Sequence, residues 1–337
     1  MTLPSGKVPP DALCGIVFKH LGKRRGDVVV GPSHGEDAAI VRAGKQLVAL
    51  SSDPISGALD RIGTLAVNVA TNDIATRGVR PSWLLSNILL PQGSDSRVLR
   101  AICSQMGKAA SKLSVSIVGG HAEVTPGLDR PVVVGLAAGV VGKRGYVSCS
   151  DAEPGGKIVL TKGAGIEGTA ILAADRAKIL SKTYGTKLVR TARRFFEMTS
   201  VVNDAIIAFG TGYVQAMHDP TEGGVAGGLN EMANASQTGF RVYEESINVE
   251  PETELICKHF GISPLRLIGS GSLLIVVDRN REDAVVSKLK RQGTKATVIG
   301  EILAEESKRI LVKKSGVETR LRLPKADDLW TALQKKL

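Results

Sequence analysis

Cysteine is scarce in this 337-residue chain: Cys14, Cys103, Cys149 and Cys257 are far apart and none belongs to a CxxC pair. That spacing argues against a zinc site, a redox dithiol or a disulfide scaffold, and it suits a reducing compartment. Aromatic residues make up 4% of the sequence, too few for a base-stacking surface. No dense Lys/Arg tract accompanies the net charge of +11. The short runs Lys23-Arg24-Arg25 and Arg193-Arg194 read as solvated faces, so no nucleic-acid partner is expected. Long apolar runs are missing too. Val132 to Val141 is too short to span a bilayer and contains glycine, and Met1 to Pro10 lacks the apolar core of a signal peptide. The expectation is a cytoplasmic protein that makes no membrane contact.

What is abundant is glycine, 38 residues, in a chain that is 43% hydrophobic and 23% charged. This is the composition of a globular enzyme with many tight turns. At about 150 residues per domain the length predicts two domains. The polar, turn-rich stretch Ser148 to Gly156 places the boundary, giving domains 1–147 and 148–337. In the first, a helix is expected around Asp11 to Leu21. A hairpin follows, from Ala38 to Arg42 and Leu47 to Ser51, with Asp53 just past its second strand. Helices follow at Ile62 to Arg77 and Ser94 to Leu113, and strands at Trp83 to Leu90, Val115 to Val118 (read as buried) and Val132 to Val141. The second half predicts strands at Ile158 to Leu160, Val214 to Met217, Leu273 to Val277 and Ala296 to Gly300. Helices are expected near Thr169, at Val225 to Ala235 and at Glu282 to Gln292. The fold class is α+β, or mixed α/β.

Carboxylates stand where core building does not need them: Asp37 in Gly35-Glu36-Asp37-Ala38-Ala39, Asp53, Asn72-Asp73 inside an apolar helix, and Asp219 in His218-Asp219-Pro220-Thr221-Glu222-Gly223-Gly224. Magnesium takes hard oxygen ligands and bridges carboxylates to phosphates, and a buried carboxylate without a cation is costly. The alternative for any one of them is a helix cap or turn. Glycine turns at Gly163-Ala164-Gly165 and at Gly223-Gly224 offer backbone N–H groups to an anion, or simply tight turns and close packing. No Walker Lys-Ser/Thr pair follows them, which excludes a P-loop. His121, in Gly119-Gly120-His121-Ala122-Glu123, is a candidate acid/base or phosphate contact, or a structural hydrogen-bonder. Glu123 is a candidate magnesium contact or a solvated side chain. Lys7 is a candidate phosphate contact from the N-terminal segment, or a solvated lysine.

In this order, these motifs resemble the AIR synthase-related (PurM-like) superfamily over nearly the whole chain. Lys7-Val8-Pro9-Pro10, Val30-Gly31-Pro32, Gly165-Ile166-Glu167-Gly168-Thr169-Ala170 and Asp219 to Val225 are most similar to its hydrogenase-maturation HypE branch. The resemblance implies a two-domain PurM-like fold, a homodimer whose N-terminal sheets pair, and ATP with Mg2+ in a cleft near the interface. It implies metal ligation by Asp53, Asp73 and Asp219. Asp37, Asn72, Gly119, Gly120, Glu123, Gly165, Thr221, Gly223 and Gly224 would bind the nucleotide, and Lys7 and His121 would act in catalysis. The implied chemistry is ATP-dependent activation of an amide- or carboxylate-type oxygen, or phosphorylation of a small acceptor, with other hydrogenase maturation proteins as partners. Two departures stand out. The branch carries a C-terminal cysteine, whereas this sequence ends Trp330 to Leu337 with Cys257 its last. Glu123 also stands where a lysine is usual. They leave a non-catalytic, nucleotide-binding partner in metalloenzyme maturation as the alternative.

Overall fold

The computed structural model describes residue 3, residues 6–56 and residues 60–335. The first half comprises α1 (Pro10–Gly15), β1 (Val28–Val30), β2 (Ala39–Ala43), β3 (Gln46–Ile55), α2 (Ile62–Thr76), β4 (Trp83–Pro91), α3 (Ser96–Leu113), β5 (Ser116–Thr125) and β6 (Val132–Val140). Its strands form one six-stranded sheet in the order β1-β2-β3-β6-β4-β5. The second half comprises β7 (Lys157–Thr161), α4 (Ile166–Asp175), α5 (Ala177–Tyr184), α6 (Thr186–Arg193), α7 (Val202–Phe209), β8 (Val214–His218), α8 (Gly224–Ala235), β9 (Gly239–Tyr243), α9 (Pro251–Phe260), β10 (Leu274–Val277), α10 (Glu282–Arg291), β11 (Ala296–Leu303), β12 (Arg309–Val312), β13 (Glu318–Arg320) and α11 (Asp328–Gln334). Its sheet has seven strands, ordered β13-β12-β9-β11-β7-β10-β8. The architecture is mixed α/β with two sheets.

Strand β4 shows how the first sheet is built. Its residues alternate between exposed and buried, so Leu84, Ile88 and Leu90 face the helices α2 and α3. Trp83 and Leu85, with Leu136 of β6 paired to Leu85, remain exposed on the other face. That sheet therefore has one covered and one open side. In the second half β10 is buried along its whole length, as expected of a strand between two others with both faces covered. Helix α2 lies between the halves. Nearly all its residues are buried, and it packs on β3, β6 and α3 on one side and on α7 and β8 on the other.

Three expectations change. Asp53 lies inside a strand: β3 continues to Ile55 because β6 offers an unbroken partner, Asp53 pairing with Gly135. The apolar run from Val115 is buried only at Val115 itself; the rest of it is not. It opens β5, an edge strand with only β4 beside it, and Ile117 and Val118 are exposed. Gly119 to Glu123 therefore sit within a strand and not in a loop. Gly120 permits this with φ +145°, where a Cβ would fall 1.9 Å from the Ser86 carbonyl oxygen. Finally, the predicted helix from Asp11 shortens to α1 plus a single 3-10 turn. Its fifth residue past Pro10, Gly15, is a poor helix former.

Between β1 and β2 the loop carrying Glu36 and Asp37 is tied to the end of α2 by Arg77, which is fully buried. Its Nε and Nη2 donate to the Ala38 carbonyl, the former at 3.0 Å, and its guanidinium pairs with Glu36. Breaking a buried pair by removing one partner costs about 3–5 kcal/mol. Arg77→Met should lower unfolding free energy by that amount in urea denaturation. A loss under ~1 kcal/mol would show that the loop is held by other contacts.

Candidate metal and phosphate site

The C-terminal turn of α2 delivers two polar side chains to the seam between the halves. Asn72 clasps the second half: its Nδ2 donates to Asp219 Oδ2 at 2.8 Å and to the Thr199 carbonyl at 2.9 Å, and its Oδ1 accepts from the Val201 amide at 2.8 Å. One turn earlier Asn68 donates to Thr199 Oγ1 at 2.8 Å. Asp73 faces the first sheet, where Ser51 Oγ donates to its Oδ2 at 2.5 Å and lies 3.4 Å from Asp53 Oδ2. A carboxylate in the last turn of a helix meets the negative end of the helix dipole. Burial, Asp53 and Asp37 together push the Asp73 carboxyl well above the ordinary range.

Asp219 follows directly on β8, and burial pushes it up to about 7; the Asn72 hydrogen bond partly offsets this and Asp37 adds to it. Glu167, at the start of α4, is pushed by burial up to about 8. Among the described residues, one oxygen of each of Asp37, Asp219 and Glu167 is buried without a hydrogen-bond partner. Native structures rarely leave such atoms unpaired unless a cation or water takes them. Aspartate oxygens in a buried group are the donor set that fits Mg2+.

Cations border the same seam. His218 lies between two carboxylates, with Nδ1 2.8 Å from Asp37 Oδ1 and Nε2 3.0 Å from Glu231 Oε2. Burial opposes charge on this imidazole, yet Asp37 and Cys149 together outweigh it and raise the His218 pKa well above its ordinary value. Glu231 also accepts from Lys7 Nζ at 2.8 Å. Burial works against its ionisation, but Lys7 and His218 hold the Glu231 carboxyl well below the usual carboxylate range. The Lys7 backbone amide donates to Glu222 Oε2 at 2.6 Å, so the N-terminal segment lies across the loop after β8.

The structure thus brings Asp37, Asp53, Asn72, Asp73, Asp219 and Lys7 to one seam. It places other candidates differently. His121 and Glu123 lie on exposed β5, 3.2 Å apart, with Gly119 and Gly120 in the same strand. The Gly223 amide donates to Asp327 Oδ2 at 2.6 Å, and the Gly224 amide to the Thr221 carbonyl at 3.0 Å, so both are engaged within the protein. Gly165, with φ +68°, caps α4 and is packed against Thr253 and Leu267. Sequence reading missed His218, Glu231 and Arg77 as parts of the site. The available signal was Glu231, the one charged residue in the Val225 to Ala235 segment. A cavity of about 870 Å3 between α2, α3, α5 and α6 is lined by Arg61, Lys108, Lys112 and Arg190, and none of the aspartates just named reaches it.

Two packed α/β halves that meet at an acidic, oxygen-rich seam define a two-domain α/β protein. The chain belongs to the AIR synthase related protein family, whose N-terminal domain model matches residues 35–141 and whose C-terminal domain model matches residues 153–313. Within that family it is 31% identical over 250 residues to the carbamoyl dehydratase HypE of Rhizobium leguminosarum bv. viciae, covering 73% of this chain and 69% of the relative. Its fold matches a HypE–HypF complex structure with a TM-score of 0.75 at 23% identity, covering 93% of this chain and all of that one. It also matches HypE in complex with ATP, with a TM-score of 0.67 at 22% identity over 96% and 98% of the two chains. No helix among the described residues is long and apolar enough to cross a membrane.

In the metal-free protein, Asp73, Asp219 and Glu167 keep protons that the unfolded chain has already released. Their contribution to stability therefore falls as pH rises from about 4 toward 7–8. Mg2+ held by the Asp73 and Asp219 carboxylates would take the place of those protons and offset this loss. Thermal melts should show a magnesium-dependent rise in Tm that is larger at pH 8 than at pH 5. An equal rise at both values would contradict the assignment.

Proposed function

We propose that this chain is an ATP- and magnesium-dependent enzyme that activates an amide- or carboxylate-type oxygen, or phosphorylates a small acceptor. The observation that carries this reading is the group Asp37, Asp53, Asp73 and Asp219 at one seam, with Asp73 and Asp219 buried, Asp37 and Asp53 half-buried, and unpartnered oxygens on Asp37 and Asp219. The family relationship to carbamoyl dehydratases, and the likeness to an ATP-bound HypE, support the nucleotide. In this reading Asp53, Asp73 and Asp219 hold Mg2+ and Asp37 supports them. The bound metal supplies neutralisation of phosphate charge, the larger share of catalysis in phosphoryl transfer. Asn72 fixes Asp219 by its hydrogen bond, while Arg77 and His218 fix Asp37. Lys7, tethered by Glu231 beside the aspartates, meets negative charge on a phosphate. Thr221, Gly223, Gly224 and Gly165 shape the backbone around Asp219. Other maturation proteins are the proposed partners, by analogy with the HypE–HypF complex.

Asp73→Asn keeps the shape and removes the charge. Calorimetry should show magnesium–ATP affinity falling more than about 100-fold, roughly 2.7 kcal/mol, with the variant still folded. Unchanged affinity would refute the site.

A homodimer through the open sheet face completes the proposal. Trp83, Leu85 and Leu136 are exposed together on the open face of β4 and β6, and Ile117, Val118 and Val124 are exposed along the neighbouring edge strand β5, apolar surface of the kind that marks an interface. His121, Glu123, Gly119 and Gly120 share that region. In this reading they act at the seam of the second copy, His121 moving a proton there. Val118→Glu should convert a dimer to monomers in sedimentation velocity and abolish ATP turnover while leaving the fold intact. A wild-type monomer, or a variant that stays dimeric, would count against it.

A further inference from the structure

Cys149 is buried in a 3-10 turn that packs on β8 and α8, and its sulfur does not simply fill space. It sits 3.6 Å from His218 Nδ1, the same nitrogen that stands 2.8 Å from Asp37 Oδ1. The three donor atoms fall within 4.8 Å of one another. We propose that Asp37, Cys149 and His218 form a second cation site, one that takes a zinc-class transition ion and not magnesium. This inference concerns a different ion and adds sulfur and nitrogen donors, and it shares only Asp37 with the group on which the ATP reading rests.

Geometry supports it. Zn–S and Zn–N bonds of about 2.3 and 2.0–2.1 Å at a tetrahedral ion place sulfur and nitrogen about 3.6 Å apart. The same geometry asks Asp37 Oδ1 to stand about 3.3 Å from the nitrogen, so the carboxylate retreats by roughly half an ångström. The surroundings are those of a metal-bound histidine. Such a ligand almost always gives its other ring N–H to a carboxylate, which fixes the tautomer and ring orientation. Here Glu231 Oε2 is 3.0 Å from His218 Nε2, and Lys7 in turn holds Glu231. Cys149 is fixed from its own side: it opens a 3-10 turn closed by a reciprocal capping box between Ser148 and Asp151.

Donor chemistry separates this site from the aspartate group. Magnesium selects oxygen, whereas a thiolate with an imidazole and a single carboxylate selects zinc and its neighbours. On binding, the thiol releases its S–H proton to solvent, the imidazole releases the proton on Nδ1, and the thiolate and carboxylate balance the dication. Three protein donors leave a fourth position for water or a ligand atom, as in catalytic and not structural zinc sites. Asp37 Oδ2, buried without a partner among the described residues, stays available to the neighbouring aspartates or to the same ion.

Cobalt(II) is the probe. The full chain, stripped of metal, should bind a single Co2+ with a thiolate-to-cobalt charge-transfer band in the near ultraviolet and tetrahedral d–d bands in the visible. Zinc should displace it and excess magnesium should not. Cys149→Ser should abolish the charge-transfer band, while serine at Cys257, the other buried cysteine, should leave it. Glu231→Gln should keep the band and weaken cobalt binding about 10–100-fold. No band in the wild type, or a band that survives Cys149→Ser, overturns the proposal. X-ray absorption of the zinc-loaded wild type gives a test without variants: a first shell with sulfur and nitrogen supports the site, and one without sulfur refutes it. Magnesium–ATP binding measured on Cys149→Ser is expected to be unchanged, so failure here is distinct from failure of the ATP site.

Discussion

Mutual repulsion among Asp37, Asp53, Asp73 and Asp219 is the constraint around which the rest of this structure is arranged. A buried carboxylate is expensive to ionise, and several together are more so. The protein answers on three sides. Arg77 anchors the loop of Asp37 through Glu36 and the Ala38 carbonyl. Asn72 holds Asp219 in place through a neutral hydrogen bond. Lys7 and His218, joined by Glu231, bring positive charge to the border of the group. Apart from the His218–Asp37 pair, these contacts fix the carboxylates without neutralising them, which leaves the group short of positive charge.

The two sheets serve this arrangement. Helix α2 is buried between them, and its last turn reaches both, so Asp73 meets the first sheet while Asn72 meets the second half. Any relative movement of the halves would separate Asp73 from Asp219 through that single helix. The open face of the first sheet is the counterpart on the outside. It carries the exposed apolar residues and lies in the sheet that holds Asp53, which is why pairing through it and chemistry at the seam belong to one proposal.

Much of this was legible in the sequence, and what was not has physical reasons. Asp73 stood out because an acid in an apolar helix contradicts its surroundings, and Asp219 because it lies beside a run of glycines that lets backbone approach closely. The paired strands from Ala38 to Ser51 and the amphipathic helix from Ser96 announced themselves by their periods, 2 and 3.6. The exposure of β5 was hidden because Val115 to Val118 is apolar, and apolarity alone does not tell a core strand from an interface strand. The chain Lys7, Glu231, His218, Asp37 was hidden because its links join residues far apart in sequence. Lys7 and Glu231 are 224 positions apart, and no local pattern reports such a contact. The strands β9, β12 and β13 escaped because they are short and lie among charged residues.

The central claim is that these aspartates hold divalent cations against a triphosphate. Anomalous diffraction from crystals grown with Mn2+ and a nonhydrolysable ATP analogue tests it most directly. The account predicts manganese peaks within bonding distance of Asp73 and Asp219 carboxylate oxygens, with the phosphates on the ion's far side. A bound nucleotide whose metal touches neither residue, or manganese found only elsewhere on the protein, would contradict it.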